Sequence, residues 1–472
     1  QHILPLPLTN PVPGAVSLQW RREGATSRLP DHRHSAVCSL GEPADPGQRA
    51  LAALALLRGL QTVRSGDLPN VANAVAPEGP ERLSDHVSLG VLTRVFPADV
   101  VGAVVERTGA LEQRNRLLPS RLMVYYVMAL ALFSNGSYEE VMRSLLAGME
   151  WLTGRFREWT MPTKAGIYKA RNRLGSAVMV ALFAEVAKPF AVPGGPGFYR
   201  QWRLMSVDGT TLDLADTAAN ERAYGRPGTK TEFKSAFPQA RVLGLVECGT
   251  HAVTSLVVSG YHTSEHDMYP ALLADLAEDM LAMADRGFFS YTAWKDSAAT
   301  GAALLWRMKA NSVLPVLEEF EDGSYLSAVY PSTKDRRQDT NGIPVRVIEY
   351  EVTTGEEVSK FLLITTILDP AAASSKDLAG LYARRWEIES SFDELKTHQR
   401  GPDIVLRSKT PDGVLQEIYG YLCAHYAIRS LIGAVAAEFD EDPLQFSFTR
   451  TLRATRRSLA GRPAFSRRGW CS

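Results

Sequence analysis

The sequence predicts a mixed α/β protein: a helical domain first, then an open α/β domain that a β-rich segment interrupts. Three observations carry this. Apolar residues recur at three- and four-residue spacing from about 83 to 190. After P-G-G-P-G at residues 193–197 the texture changes to alternating strands and helices. A β-rich stretch with polar turns then fills residues 312–361, just before a long charged helix.

The 472 residues suffice for several domains and a sizeable core. The 45% hydrophobic and 22% charged residues are the balance of a soluble globular chain. The 52 basic and 52 acidic residues cancel, so any attraction to nucleic acid or membrane must be local. Cys38, Cys248, Cys423 and Cys471 form no C-x-x-C, which fits a reducing compartment and argues against a disulfide scaffold or a Cys-rich zinc site. The chain opens Q-H-I-L-P-L-P-L, with no basic signal-peptide region and no Met, so it is expected to begin inside a longer frame. A long, apolar uncharged run, Leu122 to Tyr138, ends around S-N-G-S. It is shorter than the roughly 20 apolar residues of a spanning helix and reads as a buried one.

Residues 1–82 are rich in Pro, Gly, Arg and His and read as an appended, loosely ordered region with one short helix at 51–60. Residues 83–192 form the helical domain. In it S-Y-E-E-V-M-R-S-L-L starts at Ser137 as N-cap with Glu140 at the capping-box position, and a further helix opens at Pro162-Thr163. Residues 198–311 hold the first part of the α/β domain. W-R-L-M-S-V-D-G-T-T-L-D-L reads as a strand running into a turn at Asp208-Gly209. Two strands meet near Cys248-Gly249, a helix covers M-Y-P-A-L-L-A-D-L-A, and D-M-L-A-M-A-D is a strand ending at Asp285. Residues 312–361 are the β-rich insertion. Residues 362–435 complete the core, and residues 436–472 form a basic tail with a helix at F-S-F-T-R-T-L-R-A-T-R-R-S-L.

The stretch L-Y-A-R-R-W-E-I-E-S-S-F-D-E-L-K, residues 381–396, reads as one helix. At about 100° per residue, Leu381, Ile388, Phe392 and Leu395 share a buried seam, and Tyr382, Arg385, Glu389 and Lys396 share an adjoining arc roughly 60° wide. Two readings are open: a solvated face with pairs such as Arg385–Glu389, or charges aimed at a site. Asp208 and Asp285 favour the second. Each alone reads as a turn residue. With Glu389 they are three acids on three elements of one α/β domain, where functional carboxylates gather at strand ends.

The spacing Tyr382-x2-Arg385-x3-Glu389-x6-Lys396 resembles the Tyr-Arg-Glu-Lys signature of DDE transposases of the insertion sequence 4 type. V-D-G-T-T and A-D-R-G-F-F-S resemble that family's two aspartate blocks. L-S-D-H-V-S-L-G-V-L-T-R-V-F-P resembles the start of its N-terminal domain. The resemblance covers about residues 83–460. It implies a ribonuclease-H-like catalytic core interrupted by a β-rich insertion, cut-and-paste DNA transposition, and a location in the bacterial cytoplasm at the nucleoid. Hydrolysis of a phosphodiester and attack by a 3′ hydroxyl need positioning and charge stabilisation, not a covalent nucleophile. Two Mg²⁺ ions, with Mn²⁺ as substitute, fit hard oxygen ligands. Asp208, Asp285 and Glu389 are the candidate catalytic and metal-binding acids.

The resemblance also implies that Tyr382, Arg385 and Lys396 hold the DNA backbone; Arg286 either joins them or forms a surface ion pair. Some members pass through a DNA hairpin and stack a flipped base on an aromatic side chain. Phe361 and Trp306 are the candidates here, and Phe361 reads equally as core. The basic segment 151–190 offers Lys164, Lys169 and Arg173 as candidates of a recognition helix, against a plain solvated face. The expected partners are double-stranded DNA, as terminal inverted repeats and target, and a second copy of the chain on it. No G-x-x-x-x-G-K-[ST] is present, so no nucleotide cofactor is expected, and no membrane. His262 and His266 lack a matched third ligand, so zinc is not expected. The alternatives are a nuclease of the same fold without strand transfer, and a defective or domesticated copy that only binds DNA. The abrupt final G-W-C-S favours a disrupted copy; the intact acids weigh against it.

Overall fold

The computed structural model describes residues 17–19, 90–114, 116–153, 161–228, 234–354, 357–401 and 405–460. The expected helix at 51–60, residues 154–160 of the basic segment and the last residues of the tail lie outside them. The described chain is mixed α/β with a helical N-terminal region. It divides into two units: residues 276–385 with strand β1 (Ser17–Gln19) make the smaller, and the described parts of 40–275 and 386–472 the larger.

The larger unit begins with helices α1 (Val91–Val95), α2 (Ala98–Arg107), α3 (Ser120–Leu132), α4 (Tyr138–Thr153), α5 (Lys164–Leu174) and α6 (Ala177–Val186). Local sequence explains their starts. The Ser137 hydroxyl accepts from the Glu140 N–H at 3.1 Å while the Glu140 carboxylate accepts from the Ser137 N–H at 3.3 Å, a reciprocal capping box. The Thr163 hydroxyl caps α5 through the Gly166 N–H. The uncharged run becomes α3, buried along almost its whole length.

Strands β2 (Phe198–Tyr199), β3 (Trp202–Asp213), β4 (Gln239–Glu247) and β5 (Ala252–Gly260) form an antiparallel array in that order. Here the sequence reading needs correction. Asp208-Gly209 is not a turn: β3 runs on to Asp213, with Asp208 opposite Gly244 of β4. Ladder pairing over the whole strand outweighs the local turn preference of an Asp-Gly pair. Helix α7 (Ala218–Tyr224) joins β3 to β4. The helix expected after β5 is one turn, α8 (Glu265–Met268), followed by a 3₁₀ stretch at Tyr269–Asp275.

The smaller unit comprises β6 (Met280–Ala284), α9 (Tyr291–Ala298), β7 (Ala303–Arg307), β8 (Glu318–Glu319), β9 (Tyr325–Val329), α10 (Thr333–Gln338), β10 (Ile343–Thr354), β11 (Glu357–Thr365) and α11 (Ser375–Ala383). Its strands lie in the order β6-β7-β11-β10-β9-β8, and only β6 and β7 are parallel. All five residues of β6 are buried and apolar, as a parallel strand covered on both faces must be.

The larger unit resumes with α12 (Glu387–Asp393), α13 (Pro411–Glu438) and α14 (Phe448–Ala460). Helix α13 is buried on nearly every side, and its Gly420 lets the Val127 side chain and carbonyl of α3 approach closely. One apolar core joins α1–α6, the β3–β5 strands, α12, α13 and α14. The predicted uninterrupted helix 381–396 is a second correction. It is 3₁₀ at Arg384–Trp386, α at Glu387–Asp393 and π at Glu394–Gln399, so one uniform rotation per residue does not hold through it. Among the described residues no helix is long and apolar enough to cross a membrane.

Candidate active site

The candidate residues divide between the two units. In the smaller, Asp285 follows the buried β6 directly and is half-buried. The Tyr382 hydroxyl reaches the Ala284 carbonyl at 3.4 Å and the Asp285 carboxylate at 3.5 Å. Burial pushes the Tyr382 phenol well above its ordinary range; the Arg385 charge pulls it back and the Asp285 charge adds to the rise. The phenol therefore stays protonated and donates.

Around it lies a cation–aromatic cluster. Phe361 stacks on Tyr350 with centroids 5.2 Å apart, meets Tyr382 edge-on at 6.5 Å, and carries the Arg307 guanidinium 4.0 Å from its centroid. Arg385 is buried, 6.0 Å from the Tyr382 ring. Arg286 is exposed. Trp306 is fully buried, its ring edge-on to Trp294 at 5.4 Å. Its place in the core leaves no face for a flipped base, which corrects that candidate.

The helix bearing Tyr382 is anchored at its start. The Asp322 carboxylate accepts from the Ser375 N–H at 2.8 Å, and the fully buried Arg346 pairs with Asp322 while donating to the Ser324 hydroxyl and the Ala373 carbonyl. Sequence reasoning missed Arg307, Arg346 and Asp322, because nothing local marks Arg346 as buried or places Arg307 over Phe361 and Asp322 against Arg346.

In the larger unit, Asp208 is half-buried in mid-β3 and accepts from the Gly209 N–H at 2.8 Å. Thr210, two residues on, shares its face, and its hydroxyl accepts from Lys396 Nζ at 3.0 Å. Phe392 fills the space over Gly244, the ladder partner of Asp208. The helix carrying Glu389 thus crosses β3 and β4 beside Asp208, with Ile388 and Phe392 inward and Glu389 exposed. Burial lowers the affinity of Lys396 for its proton, Arg400 adds to this, and Asp213 and Asp393 oppose it.

Glu265 is a further acid here. Its carboxyl is raised by burial and then by the Asp208 charge, with Arg241, 3.5 Å away, opposing. A side chain at position 209 would collide with it. The sequence showed Glu265 only as a neighbour of His262 and His266; its place over Gly209, next to Asp208 in the chain, is a product of the fold.

An oxygen-only donor set with unneutralised charge suits a hard divalent cation. Asp208, Asp285 and Glu389 are donors of that type, and among the described residues no group of three His, Cys, Asp or Glu side chains that could hold a metal ion is gathered. On α5, Lys164, Tyr168, Lys169 and Arg173 face outward while Ile167, Ala170 and Leu174 are buried. Arg173 is tied to the Leu118 carbonyl at 2.6 Å. On α14, Arg450, Arg453 and Arg457 are exposed.

Comparison with known proteins gives this arrangement a context. Residues 86–184 match the family model for the insertion element 4 transposase N-terminal region, and residues 202–427 match that for the transposase DDE domain. The chain is 22% identical over 364 residues to transposase InsG for insertion sequence element IS4 of Escherichia coli (strain K12), covering 76% of this chain and 80% of that protein. It is 24% identical over 181 residues to the putative transposase InsZ of the same organism, covering 38% of this chain and 56% of that protein. Among solved structures, a piggyBac transposase synaptic complex with hairpin DNA aligns over 81% of this chain and 82% of that one, at 10% identity and a TM-score of 0.41. Members of the DDE family generally use divalent metal ions. The two matched models and the relationship to InsG make the chain a member of the insertion sequence 4 family of DDE transposases, DNA transposases that cleave DNA and transfer its strands.

Proposed function

We propose that the chain performs cut-and-paste transposition, cutting DNA at terminal inverted repeats and joining the ends to target DNA, with Asp208, Asp285 and Glu389 holding two Mg²⁺ ions. The observation that carries this reading is the Lys396–Thr210 hydrogen bond, which ties the signature lysine to the strand of Asp208. Bound divalent ions supply activation of the attacking oxygen and stabilisation of the leaving one. The chain's own residues do the rest. Lys396 presents a partly desolvated cation to a phosphate oxygen, and Arg385 a planar fork. The Tyr382 hydroxyl orients the Asp285 carboxylate by donating to it. Arg286, exposed next to Asp285, supplies a further phosphate contact. Phe361 stacks a displaced base once Arg307 or Tyr350 gives way.

In this reading residues 83–192 are the DNA-binding domain, with Lys164, Lys169 and Arg173 contacting the repeat. Residues 198–311 and 362–435 form a ribonuclease-H-like core, residues 312–361 its insertion, and 436–472 a basic tail. The protein works as a homodimer on DNA, without a nucleotide cofactor, in the bacterial cytoplasm at the nucleoid.

The test is Mg²⁺- or Mn²⁺-dependent cleavage of a duplex carrying the element's own end, by the wild type and by Glu389→Gln. Cleavage by the wild type alone supports the assignment. Equal cleavage by both rejects Glu389, and binding without cleavage by either favours a protein that only binds DNA.

A further inference from the structure

The helix that carries Glu389 is gripped on its inner side by a buried charge network outside the site described above. Glu394 opens the π turn Glu394–Gln399. It is buried and pairs with Arg429, which is 2% exposed. Arg429 Nη2 donates to Glu394 Oε1, and Arg429 Nε donates to Oε2 at 2.8 Å. His251 Nδ1 lies 3.1 Å from Glu394 Oε1 and His425 Nε2 lies 3.1 Å from Oε2. Phe448 covers the network, its ring 5.4 Å from the Arg429 guanidinium and 5.1 Å from the His425 ring.

A buried ion pair carries a large desolvation cost, and apolar side chains of similar volume are often equally stable in its place. Its contribution is better sought in geometry, and the geometry at hand is the π turn. Such a turn accommodates one residue more than an α turn. Relaxed to α, it would shift everything beyond it by about one helical position, roughly 100° and 1.5 Å. Lys396, the third of the turn's six residues, would take part of that shift and leave Thr210. The far end of the turn is held as well: Gln399 Nε2 donates to the Tyr421 carbonyl at 3.0 Å, and the Gln399 carbonyl accepts from Arg456 Nη2 at 2.9 Å.

The start of α12, ahead of Glu389, is held by Glu387, which accepts from the Gly249 N–H in the β4–β5 turn. His251 closes that turn at φ 57, a backbone conformation that non-glycine residues keep only when their surroundings hold it. Glu387 and Glu394, on either side of Glu389, therefore grip the same turn.

Resting on the reading of Glu389 and Lys396 as active residues, we propose that Glu394 and Arg429 are positioning residues: their buried pair holds the π turn and so sets Lys396 over β3 at a fixed register from Glu389. The test uses the full chain, the double variant Glu394→Leu/Arg429→Met, and Glu389→Gln as reference. The measurements are the thermal midpoint, the affinity for a duplex of the DNA flanking the coding gene with its terminal inverted repeat, and the single-turnover cleavage rate with Mg²⁺.

Cleavage should fall about 100-fold, the scale of a misplacement of about 1 Å, while midpoint and affinity stay near wild type. Wild-type cleavage beside an inactive Glu389→Gln would overturn the inference and leave the site assignment standing. Wild-type cleavage by Glu389→Gln would instead remove the reading on which the inference rests. If the double variant melts early, Glu394→Asp decides, because it keeps the charge and withdraws it by one methylene. Loss of cleavage at an unchanged midpoint supports the inference; full cleavage overturns it.

Discussion

Lys396 Nζ donates to the Thr210 hydroxyl at 3.0 Å, so the cation seven residues beyond Glu389 is tied to the strand that carries Asp208. This bond links two stretches of sequence that lie far apart, and it sets the distance a phosphate must span between the lysine and the acid. Lys396→Ala should lower cleavage about 100-fold, the loss expected for one donor aimed at developing charge. Thr210→Val should lower it about fivefold, matching about 1 kcal/mol for one hydrogen bond. Single-turnover cleavage of an end duplex measures both, and equal losses would show that the bond, not the cation, is what matters.

A side chain at position 209 would meet the Glu265 carboxylate, which must swing aside to admit it. Gly209→Ala should depress both cleavage and thermal midpoint. Adding Glu265→Ala should restore much of the midpoint, because the two substitutions share one contact. Thermal unfolding of both single variants and the double variant reads this directly; additive losses would contradict it.

Tyr382 is buried, and its hydroxyl meets the Ala284 carbonyl and the Asp285 carboxylate at 3.4 and 3.5 Å. Tyr382→Phe keeps the ring packed on Phe361 and removes only the donor. Cleavage should fall about tenfold, on the scale of a hydrogen bond to a charged group, with little change in midpoint. Cleavage kinetics beside a melting curve separate the two effects.

Burial alone would raise the Asp322 carboxyl, but the Ser324 hydroxyl, the Ser375 and Ser324 N–H groups and the Arg346 charge outweigh it and hold it below the ordinary carboxylate range. A carboxyl depressed in the folded state contributes stability above its unfolded value and loses it as pH falls through the folded one. Asp322→Asn should therefore destabilise by about 3 kcal/mol near pH 7, because it strands a buried arginine. The difference from wild type should shrink as the pH falls below about 4. Denaturant melts across that range measure it, and a constant difference would show that the charge is not the cause.

Lys164 and Lys169 are exposed on the outer face of α5. Replacing each by Ala should weaken end binding and reduce the salt dependence of log K by about one unit per lysine. Binding isotherms at several salt concentrations give that slope. An unchanged slope would assign α5 a purely structural role.

Much of the fold was legible because its signals are local. The Ser137–Glu140 capping box, the Thr163 cap and the turn at Cys248–His251 depend on residues within three or four positions of one another. Two readings failed where long-range contacts outweighed local preference. Asp208-Gly209 has turn chemistry, yet pairing from Met205 to Asp213 with β4 keeps the strand extended. Residues 381–396 have the pattern of one even helix, yet Glu394 is drawn to Arg429 on α13 and the helix widens to a π turn there. Trp306 has the character of a stacking residue in sequence, but β7 places it in the core against Trp294.

The sequence by itself determined the family and the mixed α/β class, because spacing along one chain is a one-dimensional property that composition and order carry in full. Only the tertiary structure decided which residues stand side by side: Glu265 against Gly209, Thr210 under Lys396, and Arg307 on Phe361. Those neighbours come from distant segments, and their proximity is fixed by strand register and by the burial of charges, which no local spacing encodes.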